Sequence, residues 1–366
     1  MKFKRFDRFA IDVLAAAFVI DLGVAAVRAV TGRVPATRHG SDARGGLFHA
    51  APPHGGAGVD ADSPRQIPWQ GWKQVGKRVF TQIGEDRVLS EAAGVTYYSL
   101  LAIFPAIAAL ISLYGLVADP ASIGKHLDAV AGVVPAGGVQ IISDQIHALT
   151  SAPKKGLGLG AVIGLLISVW SANAGIKALF DALNAVYEER ETRSFVHRTW
   201  LSLAFTLGAM VFVIAALAAV VVVPAVLATV GLGTVGDFLL SVGRWPVLLA
   251  GIMLFLALTY RYGPSRARAK WRWVSWGSGF ASVLWLVGSL AFSWYAANFG
   301  SYNKTYGSLG AAVGFMTWIW ISTIIVLVGA ELNAELEHQT ARDSTVGAAT
   351  PLGSRGAVRA DTVAPA

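Results

Sequence analysis

Asn173, Lys177, Asp181 and Asn184 follow one another at steps of four, four and three, the spacing that puts side chains on one face of a helix. Amide, ammonium and carboxylate in that order suit the handling of a charged headgroup. Within an apolar helix each of them costs free energy unless it is partnered or wetted. Counted from Leu157, Lys177 lies roughly 30 Å along the axis, near a bilayer boundary, where it either snorkels to water or pairs with Asp181 one turn on. Glu91, Arg261 and Glu331 share that depth if their own segments are spans. Such a charged layer would bind a lipid headgroup, gate a cavity or simply fix how the helices associate. Other candidates for a substrate path or headgroup contact are Tyr97, Tyr98 and Pro105 in one apolar stretch, Tyr302, Asn303 and Tyr306 in the turn before the last stretch, and Asn333 just after it.

The elements that hold these residues have to be membrane helices. Of 366 residues 54% are hydrophobic and only 14% charged, with a mean hydropathy of +0.55, where soluble domains carry about 25% charged residues. The uncharged run Gly94–Val117 makes a helix about 36 Å long, enough for a hydrocarbon core of about 30 Å. A membrane helix tolerates its Pro105 where neighbours re-satisfy the freed carbonyl. Apolar segments follow at 157–179, 201–223 (stopped by Pro224), 247–260, 274–295 and 309–330. The expected fold is all-α: a polytopic bundle of six transmembrane helices within residues 72–338. Ser278, Ser282, Ser289 and Ser293, with Gly279 and Gly288, read as a close-packing face.

Outside that domain the expectations are plainer. Residues 1–30 hold Asp12 and Asp21 within an apolar run and form either a peripheral helix or an extra span; no small-x-small cleavage site follows. Residues 31–71 and the tail 339–366, rich in Gly, Ala, Pro and Arg without an apolar period, read as a disordered linker and a disordered tail. From Trp72 to Val88, Trp72, Val75, Val79, Phe80 and Ile83 share one side, with Lys73, Lys77 and Arg78 largely off it, as in a helix lying on anionic lipid. In the loop 118–155, Ile123, Leu127, Val130, Ile141, Ile142, Ile146 and Leu149 suggest two short amphipathic helices.

Orientation follows from loop charge. Arg261, Arg266, Arg268, Lys270 and Arg272 share a connection without an acid; Arg190, Arg193 and Arg198 mark another; Lys73, Lys77, Arg78 and Arg87 precede the first span. With six alternating spans all three fall on one side, which the positive-inside rule makes cytoplasmic, together with both termini. Trp200, Trp271, Trp273 and Trp276 would form the inner aromatic belt. The net charge of +8 then reports topology rather than nucleic-acid binding. The sequence has no cysteine, no HExxH pair, no phosphate loop and no Gly-x-Ser-x-Gly elbow, so neither metal, cofactor nor catalysis is expected.

Four stretches carry a resemblance: AAGVTYYSLLAIFPAI (Ala92–Ile107), YRYGPSR (Tyr260–Arg266), YNKTYGSLGAAVGFMTWIWIS (Tyr302–Ser322) and GAELNAELE (Gly329–Glu337). In that order they resemble the YihY/BrkB family of bacterial inner-membrane proteins, once labelled ribonuclease BN. The resemblance implies a six-helix bundle with both ends inside, transport or lipid handling at the inner membrane, and a role in envelope integrity or serum resistance. It also implies that the nuclease label is a misassignment. Two readings stay open: a protein that moves a lipid or amphipathic solute, and a non-transporting scaffold of the envelope. Membrane lipids are the expected partners, with other envelope proteins or a second copy of the chain as further candidates.

Overall fold

The computed structural model describes residues 57–114, 159–230, 233–299 and 308–365, with a few isolated positions between 139 and 147. The N-terminal helix expected over 1–30, the linker up to residue 56, most of the loop 118–155, and the turn with Tyr302, Asn303 and Tyr306 lie outside the described residues.

The apolar runs form helices longer than their uncharged cores. They are α2 (Val88–Tyr114), α3 (Leu159–Val186), α4 (Phe195–Val230), α5 (Gly233–Tyr262), α6 (Trp271–Phe299) and α7 (Ser308–His338), preceded by α1 (Trp69–Glu85) and followed by a short α8 (Val358–Asp361). Four of them contain stretches long and apolar enough to cross a membrane: Val88–Leu110, Phe195–Ala216, Trp271–Ala296 and Ala312–His338. Most residues of these stretches are not buried, and Val211, Val283, Val287 and Leu290 stand exposed. An apolar surface of that extent suits lipid and not water. Pro105 lies inside α2 and Pro246 inside α5, while α4 runs past Pro224 to Val230. The expected stop at Pro224 fails because in hydrocarbon the helix is the one local conformation that keeps backbone groups bonded. Hydroxyls turn inward too: Thr96 donates to Ala92 O at 2.7 Å and Ser282 to Ser278 O at 2.6 Å.

In chain order each of α2 to α7 packs against the next, and α7 returns to α2, closing a ring. Its filling is densest toward one end, where Phe180 and Leu183 of α3, Tyr260 of α5 and Leu327 and Ala330 of α7 meet. Helices α6 and α7 touch backbone to backbone. A Cβ on Gly277 would stand 2.0 Å from Gly329 O, so only glycine permits this approach. Asn333 locks the contact: its Oδ1 accepts from Gly277 N at 2.8 Å and its Nδ2 donates to Val274 O at 3.2 Å. Buried Ser278, Ser282 and Ser289 line the α6 packing faces, and Trp318 donates to Ser289 Oγ at 3.2 Å.

Two segments expected to be disordered are ordered. In the linker, residues 57–71 fold back with a 3-10 turn at Pro64–Gln66, and Ala61 and Ile67 are buried against Val75, Trp273 and Leu336. The C-terminal tail wraps the same end of the ring: Ala341 N donates to Val59 O, Lys270 N to Ser344 O, and Ala267 N to Gly356 O, each at 2.8 Å. Asp343 accepts from two backbone N–H groups and Asp361 from four, and Arg355 donates to Ala341 O at 2.7 Å and Ala360 O at 2.6 Å. These segments hold themselves by side-chain-to-backbone bonds and few apolar contacts, so hydropathy gives no sign of them. The expectation for α1 changes as well. Lys73 and Lys77 are exposed, but Arg78 turns inward to Glu335 at 2.5 Å, and Val75 is buried. Trp273 likewise leaves the expected belt for the core, while Trp200, Trp271 and Trp276 stay exposed.

Candidate functional site

The α1–α2 turn, the α3–α4 and α5–α6 connections and the tail meet at one end of the ring. Arg359 reaches Glu188 at 3.3 Å and Asp86 at 3.9 Å, and Val358 N donates to Glu189 Oε1 at 2.8 Å. Three arrangements of polar side chains are built there.

The first is an acidic centre at the foot of α7. The run ELNAELE places Glu331 and Glu335 on one face and Asn333 and Glu337 on another, all four at most 1% exposed. Glu335 is held by Arg78 and by Arg359 at 3.0 Å. Glu337 pairs with Arg266 at 2.5 Å and accepts from Ser344 at 2.7 Å; the two charged side chains are 0% and 2% exposed. Glu331 is different. Neither of its oxygens meets a hydrogen-bond donor among the described residues. Close by, burial pushes the Asp86 carboxyl above its usual range against the opposing pull of the Arg359 charge.

The second is an open cleft of about 350 Å³ beside the α5–α6 connection, lined by Arg193, His197, Arg261, Arg266 and Arg268 together with Thr192, Tyr262 and Ser265. The YGPSR run builds its floor. Gly263 ends α5 where a Cβ would stand 2.5 Å from Thr259 O and 2.9 Å from Leu183 Cδ1. Arg193 caps the helix by donating to Tyr262 O at 3.2 Å and Gly263 O at 2.8 Å. Ser265 N donates to Asn184 Oδ1 at 2.7 Å, fixing the loop to α3. Glu191 holds Arg193 from behind at 2.6 Å. Burial alone would raise the Glu191 carboxyl, but the Arg193 hydrogen bonds and charge hold it down at about 2.

The third is a polar seam between α3 and α4. Asp181 binds Arg198 through both oxygens at 2.7 Å. Lys177 donates to Thr199 Oγ1 at 3.2 Å, with its ammonium over the rings of Trp170 and Phe195. Farther in, Thr206 donates to Asn173 Oδ1 at 3.1 Å, and Asn173 Nδ2 is buried without an acceptor among the described residues.

The residues singled out from the sequence are therefore divided. Asn173, Lys177, Asp181 and Asn184 do share one face, but Asp181 pairs with Arg198 and not with Lys177, because α4 brings an arginine fork within reach. Arg261 belongs to the cleft and Glu331 to the acidic centre, and no described contact joins either to Lys177, so the single charged layer separates into parts. Asn333 is a helix clamp. Tyr97 and Tyr98 are 57% and 48% exposed and lie edge to face at 5.5 Å on the outer surface, and Pro105 is half-buried in α2. Thr192, His197, Thr199, Thr206 and Arg268 were not singled out as site residues. Basic connections invite a reading as topology signals, and lone threonines in apolar helices give no pattern.

The family model described as Virulence factor BrkB matches residues 79–351, well over half of the chain. The ribonuclease-like protein YfkH of Bacillus subtilis is 29% identical over 268 residues, 72% of this chain and 95% of that protein. The UPF0761 membrane protein RSc1559 of Ralstonia nicotianae is 26% identical over 69% of this chain, which spans only 56% of that longer relative. A UPF0761 membrane protein of Vibrio vulnificus is 26% identical over 70% of this chain and 80% of its own length. No solved structure matches. With the closed helical ring and its lipid-suited exterior already in view, these matches make the chain a membrane protein of the virulence factor BrkB family.

Proposed function

We propose that the protein is a multipass protein of the bacterial inner membrane that moves, or exposes a path for, a lipid or other amphipathic solute. The observation that carries this reading is the seam of Asp181, Lys177, Thr199, Thr206 and Asn173, which ends on an amide nitrogen with no acceptor among the described residues. Asn173 precedes Asp181 by two helical turns, so the seam runs about 12 Å into an otherwise apolar wall. Polar groups at that depth are costly unless used, and a headgroup sliding along them would complete their hydrogen bonds while its chains stay in lipid. The ring crosses the bilayer six times, with the connections bearing Arg193 and Arg268, and both termini, in the cytoplasm. The protein acts on membrane lipids and is not an enzyme; RNA incubated with it and a divalent metal stays intact.

Reconstitution into liposomes with labelled phospholipids tests the reading. Leaflet exchange is faster with the protein than without, and falls in Lys177→Ala and in Thr206→Val. Equal exchange in wild type and both variants counts against it. Topology has its own test, which the absence of native cysteine makes clean. Arg268→Cys reacts with an impermeant thiol reagent only when the cytoplasmic face is opened, and labelling from the periplasm overturns the orientation.

A further inference from the structure

The lining of the cleft contains five basic side chains and no carboxylate. Two of the five are answered from behind its wall, Arg193 by Glu191 and Arg266 by Glu337. Arg261 and Arg268 have no ion-pair partner among the described residues. Arg261 Nε and Nη1 are buried without an acceptor among the described residues, and so is Nη1 of Arg266, whose side chain is 2% exposed. Buried N–H groups of this kind are normally satisfied, and with Arg266 already answered by Glu337 the two on Arg261 are the ones left for an acceptor that enters the hollow. Their orientation is set in advance. Arg261 lies 4.4 Å from the ring of Trp271, and both Arg261 and Arg268 lie over Tyr262, at 5.6 and 5.1 Å. Stacking of this sort fixes the guanidinium plane and its fork of donors.

We propose that this cleft binds a phosphate ester, with Arg261 and Arg268 as its principal ligands. A carboxylate offers two oxygens and is filled by one fork, whereas a phosphate offers more acceptors and matches forks converging from the end of α5 and from the loop beyond it. The hydroxyls of Thr192 and Ser265, hydrogen-bonded to each other at 3.0 Å, stand in the same lining and leave one neutral donor free. A cavity of about 350 Å³ exceeds the needs of the bare ion and leaves room for the alcohol it esterifies. Exposed Phe195, Trp200 and Trp271 on the adjoining helix ends mark the depth of lipid headgroups. The alcohol is therefore glycerol, carried by a phospholipid or by a soluble glycerophosphate. The lipid source rests on the solute-path reading above; the site itself does not.

The test uses the full chain, purified in detergent and stripped of lipid. Native mass spectrometry follows binding of phosphatidylglycerol, with diacylglycerol as the phosphate-free comparison, and calorimetry follows glycerol 3-phosphate. Arg261→Gln combined with Arg268→Gln weakens phosphatidylglycerol binding at least about tenfold, while exposed Arg272→Gln, outside the cleft, binds as wild type. Glycerol 3-phosphate binding as tightly, with the same loss in the double variant, establishes a soluble ester as the occupant. Equal binding by wild type and double variant overturns the site, as does equal weakening in Arg272→Gln or equal binding of diacylglycerol. Should the double variant not fold, Arg268→Gln alone, on an exposed loop position, carries the comparison. Arginine-dependent binding without leaflet exchange in wild type leaves the site standing and removes the solute path. Leaflet exchange without arginine-dependent binding does the reverse.

Discussion

Two groups of arginines occupy the same end of the ring and behave in opposite ways. Around the foot of α7, Arg78, Arg266 and Arg359 are turned inward onto Glu335 and Glu337, and the tail closes over them. Beside the α5–α6 connection, Arg261 and Arg268 stack on aromatic rings and face an open cleft with no acid in its lining. Charge content does not separate the two; pairing does. A guanidinium answered by a buried carboxylate is committed to the fold, because losing either partner strands a charge away from water. One held in place by rings alone keeps its hydrogen-bonding capacity for a ligand.

That contrast is open to attack, the most damaging change first. Glu337→Ala leaves Arg266 buried and unpaired and lowers stability by about 3–5 kcal/mol, read as a large drop in the thermal unfolding temperature in detergent; a near-wild-type midpoint would place Arg266 in the ligand-facing group. Gly277→Ala forces a methyl group against Gly329 O and costs about 1–3 kcal/mol through overpacking, by the same measurement. Asp86→Asn acts in the other direction. Burial raises the native Asp86 pKa, so its contribution is full below the unfolded value and is lost as pH rises through the folded one. The variant is then more stable than wild type at pH 8, and the gain shrinks toward pH 4. Smallest of all, Arg268→Gln changes stability by no more than about 0.5 kcal/mol, since no carboxylate among the described residues depends on it.

The acids that hold the outer loops give a further pH signature. Glu191 and Asp343 are both held at about 2: burial opposes ionisation in each, but Arg193 hydrogen bonds for the first, and Thr345 and Thr350 hydrogen bonds for the second, prevail. Depressed carboxylates stabilise fully above their unfolded values and lose that contribution as pH falls through the folded ones. Protease resistance of the tail and of the α3–α4 connection should therefore persist at pH 5 and decline between about pH 4 and pH 2. Loss of protection already at pH 6 would contradict this account.

How far the sequence reaches is clearest at particular residues. The face shared by Asn173, Lys177 and Asp181 follows from helical spacing, and the serines of α6 announce a packing face, whereas Gly277, which makes the close approach to Gly329, carries no such sign. The partner of Asp181 was not legible, because Arg198 stands on the next helix and only the packing of α3 on α4 brings it near. Nor was the order of residues 57–71 and of the tail. Their stability comes from Thr340, Arg355 and Asp361 bonding to backbone atoms distant in sequence or across tight turns, where Gly347, Gly353 and Gly356 adopt positive φ.

The amino-acid sequence alone determined that this chain belongs in a bilayer and is helical there, since long uncharged runs admit no other way of satisfying a backbone in hydrocarbon. Tertiary structure alone decided which arginines are spoken for. Every guanidinium carries the same charge wherever it stands in the chain, and whether a carboxylate lies within about 3 Å of it is a property of how the helix ends come together.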